Sequence, residues 1–346
     1  MRLRLALAVA ALAGVFVLPV GVGAGQPPDR SSLLQLYLPV VVFHPDERWP
    51  PADPDPFVRA SRLEERGATG GWTPSPRSEL PDATIPCTRA PCFRLNLQPC
   101  SVSRGPDCYR PLASQLGAWS SPVVVGNVVD VRNAPPDLKG LPEPPTLLVR
   151  YWLFYDFDDW RSSRPSRLLW QLHEGDWESV TVALGASGKP LFVAISRHCS
   201  GAWRPWSRQT LTGGTHPRLF VALGSHAIYW AAGTQRTFPL ACAKTGKELA
   251  EVIAIARRAG VRSQDRTGVG RSVGPAGLAP AAVRLIDLTA TDRPAWSRFA
   301  GVWGDGELLY LRGPGVSRTA RYGEGPRTPA FDRDVTKLIL ESWAAE

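Results

Sequence analysis

Lysine is scarce in this chain. Among its 40 lysine and arginine residues only Lys139, Lys189, Lys244, Lys247 and Lys337 are lysines. The arginines are scattered, with no basic stripe and no recognised motif, which argues against nucleic acid as a partner. Apolar runs long enough to cross a membrane are missing after the N-terminal segment, so a transmembrane span in the mature chain is not expected. A phosphate-cradling glycine motif is also missing, and Ser225 lies in no G-x-S-x-G elbow, so a serine-hydrolase triad has no support there. The six cysteines include no C-x2-C spacing, which disfavours a zinc knuckle.

What is present begins with an export signal. Arg2 and Arg4 precede an apolar core from Leu5 to Val20, and Val22-Gly23-Ala24 supplies small residues for cleavage. Residues 1–24 read as a signal peptide and 25–346 as one exported domain; an uncleaved anchor is the alternative, disfavoured by Pro19. A secreted or extracytoplasmic location suits the cysteines. Cys87, Cys92, Cys100 and Cys108 crowd a proline-rich stretch that reads as a disulfide-braced insertion around 80–110, with three pairings open. Cys199 and Cys242 remain as a long-range pair.

Most of the chain reads as strands. Leu34–Phe43, Thr146–Phe157, Ser179–Leu184, Pro190–Ser196, Arg218–Leu223, Val283–Leu288 and Glu307–Arg312 are apolar, β-branched or aromatic runs between Gly and Pro turns. Residues 62–120 read as irregular surface structure, 158–171 as a loop, and 261–280 as a flexible loop. One helix is expected over 249–258, behind the capping box Thr245-Gly-Lys-Glu248, and a short one over 334–343. The sum predicts a mainly β fold: a β-sandwich with loop insertions and one or two peripheral helices.

The most informative stretch is His173-Glu-Gly-Asp-Trp-Glu178, just before the strand-like Ser179–Leu184. Side chains alternate faces along a strand, so Asp176 and Glu178 share the face of Val180, Val182 and Leu184. Carboxylates on an apolar face must be paired, hydrogen-bonded or bound to a cation. One imidazole with several carboxylates suits Mg²⁺, Ca²⁺ or Mn²⁺. The metal ligands expected are His173, Asp176 and Glu178, with Asp158 or Asp159 from the preceding segment. His198, Ser225 and His226 end strands or occupy adjacent turns, and are expected to line a ligand pocket at the same rim. The bland alternative is a hydrogen-bonded polar network with no ion.

The order Leu38-Pro-Val-Val-Val-Phe-His-Pro-Asp-Glu47, Tyr151-Trp152, His173-Glu-Gly-Asp-Trp-Glu178, Ser196-Arg-His198, Thr215-His-Pro217, Gly224-Ser-His-Ala227 and Gly301-Val-Trp-Gly304 resembles the vacuolar protein sorting-associated protein 62 family. More distantly, the chain is similar to the necrosis- and ethylene-inducing-peptide-like cytolysins, which are β-sandwiches carrying G-H-R-H-D-W-E. That resemblance implies a divalent cation at His173, Asp176 and Glu178. Leu172 and Gly175 depart from the heptapeptide, so toxicity and glycolipid recognition do not carry over. Two activities stay open: an exported cation-bearing module that binds a cell-surface glycan or lipid head group, and a metal-dependent hydrolase of ester or phosphoester substrates.

Overall fold

The fold is seen in a computed structural model that describes residues 29–346 except 87–90, 110, 113–118, 135–139, 165–166, 199, 237–249, 252–253, 256–257 and 259–263. The expected signal segment, Cys87 and the Cys199–Cys242 pair lie outside the described residues, as does the capping box at 245–248. Ala250, Glu251, Ala254, Ile255 and Arg258, from the expected helix, are helical.

One long hairpin organises the molecule. Strands Pro145–Arg164 and Arg167–Gly185 run 20 and 19 residues and pair antiparallel, with Tyr155 opposite Asp176 and Asp158 opposite His173. Strands of five or six residues are the norm. The loop expected at 158–171 is therefore the distal half of this hairpin. It stays extended because Glu307–Gly313 adds a third strand along residues 168–173, and because Trp160, Leu169 and Leu172 are buried.

The hairpin lies at the centre of a nine-stranded sheet. Against one face packs a six-stranded sheet in which Val40–Phe43 runs parallel to His216–Val221 and antiparallel to Ser272–Gly274. Val41, Phe43, Leu219 and Val221 from that sheet meet Tyr151, Leu153, Tyr155, Val180, Val182 and Ile195 in one apolar core. These two layers make the sandwich. On the opposite face Phe154 and Trp177 join Phe57, Phe93, Leu95 and Trp303 in a second core, under a four-stranded sheet of Ser61–Arg66, Trp72–Pro74, Phe93–Leu97 and Val302–Trp303. Among the described residues, no helix is long and apolar enough to cross a membrane.

Three local expectations are corrected. Leu34–Phe43 is not one strand: Arg30–Leu36 is helical, burying Leu33 and Leu34, and only Val40–Phe43 is extended, after Pro39. Short apolar runs do not distinguish a buried helix turn from a strand. The 62–120 segment is not irregular throughout, since three of the strands just named fall at or within it. The 261–280 segment contributes strands Gln264–Thr267 and Ser272–Gly274, which cross-strand pairing stabilises despite their polar composition. A disulfide joins Cys100 to Cys108, and Cys92 is also disulfide-bonded.

Candidate metal centre

Face alternation places the motif in two halves. Trp177 points into the second core, while Val180 and Val182 point into the first, as strand geometry requires. Gly175 then breaks the alternation. Its φ is 61°, in the left-handed region, and a Cβ there would sit 2.7 Å from the Trp303 Cβ. The break lets His173 and Asp176 share a face although they are three residues apart. Glu174 faces the other way, where it accepts hydrogen bonds from Leu97 N at 3.0 Å, Asp305 N at 3.2 Å and Tyr109 Oη at 2.5 Å. That carboxylate ties the four-stranded sheet to the hairpin. Burial, reinforced by Asp305, pushes its pKa up to about 8.

On the shared face a cavity of about 720 Å³ is lined by Asp158, His173, Asp176, Glu178, His198 and Ser225. Six of the residues singled out in the sequence thus meet in one place. Glu307, opposite His173 on the neighbouring strand, also lines it. His226 is buried immediately behind the wall. It arrives on the turn that joins His216–Val221 to Ile228–Tyr229, held by hydrogen bonds from Asp159 N to Gly224 O (3.0 Å) and from Gly224 N to Glu47 Oε2 (2.7 Å). Gly224 is required there, because its φ is 77° and a Cβ would lie 2.2 Å from Asp159 O.

The histidines are held by carboxylates. His226 Nδ1 lies 2.9 Å from Asp176 Oδ2, and Nε2 lies 3.7 Å from Glu47 Oε1. Burial opposes its protonation, but Glu47 and Asp176 outweigh it and raise the His226 pKa to about 10. Burial likewise opposes ionisation of Glu47; the His226 charge, with backbone N–H groups of Gly224 and Trp49, holds its carboxyl below the ordinary range. His198 Nε2 is 2.9 Å from Asp265 Oδ2, and Asp265 also accepts from Ser225 Oγ at 2.9 Å and Tyr229 Oη at 2.5 Å. His173 engages Gly175 O through Nδ1 at 2.8 Å, leaving Nε2 3.6 Å from Asp158 Oδ2. Despite burial, Asp158 and Glu307 raise its pKa to about 9.

The lining carboxylates exceed what these histidines compensate. Burial raises the pKa of Asp158, only partly offset by His173. Burial and the Asp176 charge raise that of Glu178, although Ser196 Oγ donates to it. Glu307 is raised by burial too.

Donor atoms of Asp158, Asp176 and His226 all lie within 4.8 Å of one another, so this trio can hold a metal ion. Asp158 and Asp176 belong to the expected ligand set; His226, expected in the adjoining ligand pocket, stands in the trio in place of His173 and Glu178. Asp159 is not among the donors: its carboxylate accepts from Arg161 Nε at 2.9 Å, Arg161 Nη2 at 3.0 Å and Trp170 Nε1 at 2.7 Å. Adjacent strand residues face opposite ways, so only one of Asp158 and Asp159 can reach the cavity. Glu47, Asp265 and Glu307 were not singled out by sequence reasoning. Glu47 lay in the conspicuous His44-Pro-Asp-Glu47 turn, whereas the other two are isolated acids in polar or ordinary strand sequence.

The chain matches no protein-family model and no curated protein. Among solved structures, the crystal structure of Necrosis and Ethylene inducing Protein 2 from the causal agent of cocoa's Witches' Broom disease aligns over 60% of this chain and 71% of its own, at 16% identity and a TM-score of 0.28.

Proposed function

We propose that the rim cavity is a divalent-cation site and that the protein is an exported, cation-dependent binding module. The observation that carries this reading is the gathering of Asp158, Asp176, Glu178 and Glu307 in the wall of one cavity, with Asp158, Asp176 and His226 close enough to share an ion. Buried carboxylates repel one another and resist ionisation. A cation between Asp158 and Asp176 relieves both costs. Hard oxygen donors with one imidazole favour Mg²⁺, Ca²⁺ or Mn²⁺. The cavity leaves room for a hydroxyl- or phosphate-bearing ligand to complete the coordination, and a cell-surface glycan or lipid head group has that chemistry. The Cys100–Cys108 bond supports placing the protein in an oxidising compartment.

A second reading, a metal-dependent hydrolase of esters or phosphoesters, draws on His198. Its ring faces the same cavity and is backed by Asp265, the arrangement of a proton-transfer pair. Calorimetric titration of the purified protein with Mg²⁺, Ca²⁺, Mn²⁺ and Zn²⁺ tests the site. Assay of the loaded protein on nitrophenyl esters and phosphoesters separates the two readings, since a binding module gives no turnover. If no cation binds specifically, the cluster is a structural polar network.

A further inference from the structure

Glu47 is buried and does not line the cavity that holds Asp158 and Asp176. It meets the candidate metal centre only through His226. Three backbone N–H groups fix its carboxylate. Arg48 N at 2.8 Å and Trp49 N at 3.0 Å donate to Oε1, and Gly224 N at 2.7 Å donates to Oε2. The same Oε1 lies 3.7 Å from His226 Nε2. That nitrogen is buried and makes no hydrogen bond among the described residues. The other ring nitrogen, Nδ1, is 2.9 Å from Asp176 Oδ2, within the group of donors that can share an ion. The ring is not free to exchange these roles, because it is stacked on Tyr155. Its backbone has φ 54°, in the left-handed region that residues other than glycine seldom occupy. Such conformations persist only where the surroundings over-determine them, and they gather at binding sites.

We propose that Glu47 is a positioning residue of the cation site: it holds the Nε2 proton of His226 and so leaves Nδ1 to ligate the ion beside Asp158 and Asp176. The inference rests on the cation reading above and deepens it. A neutral imidazole carries one proton, and the nitrogen that keeps it is not available to a metal. Histidine ligands are commonly oriented by a carboxylate that takes the other ring N–H. Here that carboxylate is itself locked by the backbone, so the fold selects the tautomer. His226 gives up its Nδ1 proton to solvent on ligation and keeps the one at Nε2. Selectivity follows. Carboxylates suit Mg²⁺, Ca²⁺ and Mn²⁺, whereas an imidazole nitrogen adds more to a transition metal than to Mg²⁺ or Ca²⁺. The ring held by Glu47 therefore favours Mn²⁺ among the three cations that the oxygen donors admit.

The test is calorimetric titration of the full chain with Mn²⁺ and with Ca²⁺, for wild type and Glu47→Ala. Wild type should bind Mn²⁺ more tightly than Ca²⁺. Glu47→Ala should lose about 10–100-fold in Mn²⁺ affinity, the usual effect of removing an outer carboxylate, and clearly less in Ca²⁺ affinity. A loosened turn alone would weaken both cations together, so the split separates positioning from support of the fold. Nitrogen-15 NMR of the Zn²⁺-loaded wild type should place the ring proton of His226 on Nε2. That measurement needs no variant, and it decides the matter even where Glu47→Ala fails to fold. A wild type that prefers Ca²⁺, equal losses for the two cations, a Glu47→Ala protein that binds Mn²⁺ as wild type does, or a ring proton on Nδ1 overturns the proposal and leaves the cation site in place. Failure of wild type to bind any cation removes the cation reading, and this proposal with it.

Discussion

The imidazole of His226 lies flat on the phenol ring of Tyr155, with centroids 3.7 Å apart and 6° between the planes. Stacking fixes the ring where both nitrogens meet carboxylates, Asp176 on one side and Glu47 on the other. In the cation-free protein, where Glu47 and Asp176 keep His226 protonated, a charged imidazole on an aromatic face gains a cation–π contribution as well. Replacing it by His226→Phe preserves the stack but leaves Glu47 and Asp176 without their shared cation. Stability should fall by about 3–5 kcal/mol, the cost of breaking a buried ion pair. Urea denaturation of the two proteins measures this.

Charge removal at the cavity should act in the opposite direction. Asp158→Asn eliminates a buried carboxylate whose ionisation is opposed by its surroundings. In the presence of a chelator the variant should be more stable than wild type by about 1–3 kcal/mol. It should also lose cation binding, as should Asp176→Asn. Paired thermal scans, with chelator and with excess divalent cation, check both effects. An Asp158→Asn protein that is less stable under chelation would show that the carboxylate serves the fold through its ion pair with His173.

The pH dependence without cation follows from the same groups. His173 and His226 have folded pKa values raised to about 9 and about 10. Their stabilisation is complete below the unfolded value near 6.5 and is lost as pH rises through 9 to 10. Asp158 and Glu178 are raised as well. The folded state holds their protons more tightly, so stability also falls as pH rises from about 4, their unfolded value. Glu47 and Asp265 are lowered; what they contribute is present above about 4 and lost in stronger acid. The cation-free protein should therefore be most stable near pH 5 and weaken steadily toward pH 10. Added cation should stabilise it most at the alkaline end, because protons compete for the same donors. Melting temperatures across pH, with and without Mg²⁺ or Ca²⁺, record the crossing.

Gly175 is predicted to be intolerant of any side chain. Gly175→Ala forces a left-handed residue and drives its Cβ against Trp303. The expected loss is about 2–4 kcal/mol, from backbone strain and overpacking together. Cation affinity should fall too, since the shift displaces Asp176 from Asp158 and His226. Denaturant titration and calorimetry on one preparation report both.

Much of the sandwich was legible because its strands carry their own signal. Residues 147–157 are a near-continuous run of apolar and aromatic residues and 180–184 are Val-Thr-Val-Ala-Leu, and these segments pair in the two arms of the central hairpin. The distal hairpin was not legible. Asp158, Asp159 and the serines and arginines that follow have turn-like composition, and the second arm is held extended between the first arm and the later strand Glu307–Gly313, a partner distant in sequence. The site was read from its histidines and its densest acidic motif, and His173, Asp176, Glu178, His198 and Ser225 do converge. Parity along a single strand could not anticipate Gly175, which exchanges faces within the motif. Asp265 and Glu307 reach the site through pairings distant in sequence, and neither has a local pattern to mark it.

The parallel pairing of Val40–Phe43 with His216–Val221 sets when the molecule can be finished. Val40 sits opposite Arg218, so the first strand has to wait for more than half of the remaining chain before its long-range partner exists. Contacts this distant in sequence slow folding, because the entropy of closing the loop is lost before any contact rewards it. Until then an apolar Val-Val-Val-Phe edge is exposed, a segment of the kind that seeks other edges. Fragments ending before residue 216 should be prone to aggregation, and the cation site cannot form in them, since Ser225 and His226 arrive only on the turn after that late strand.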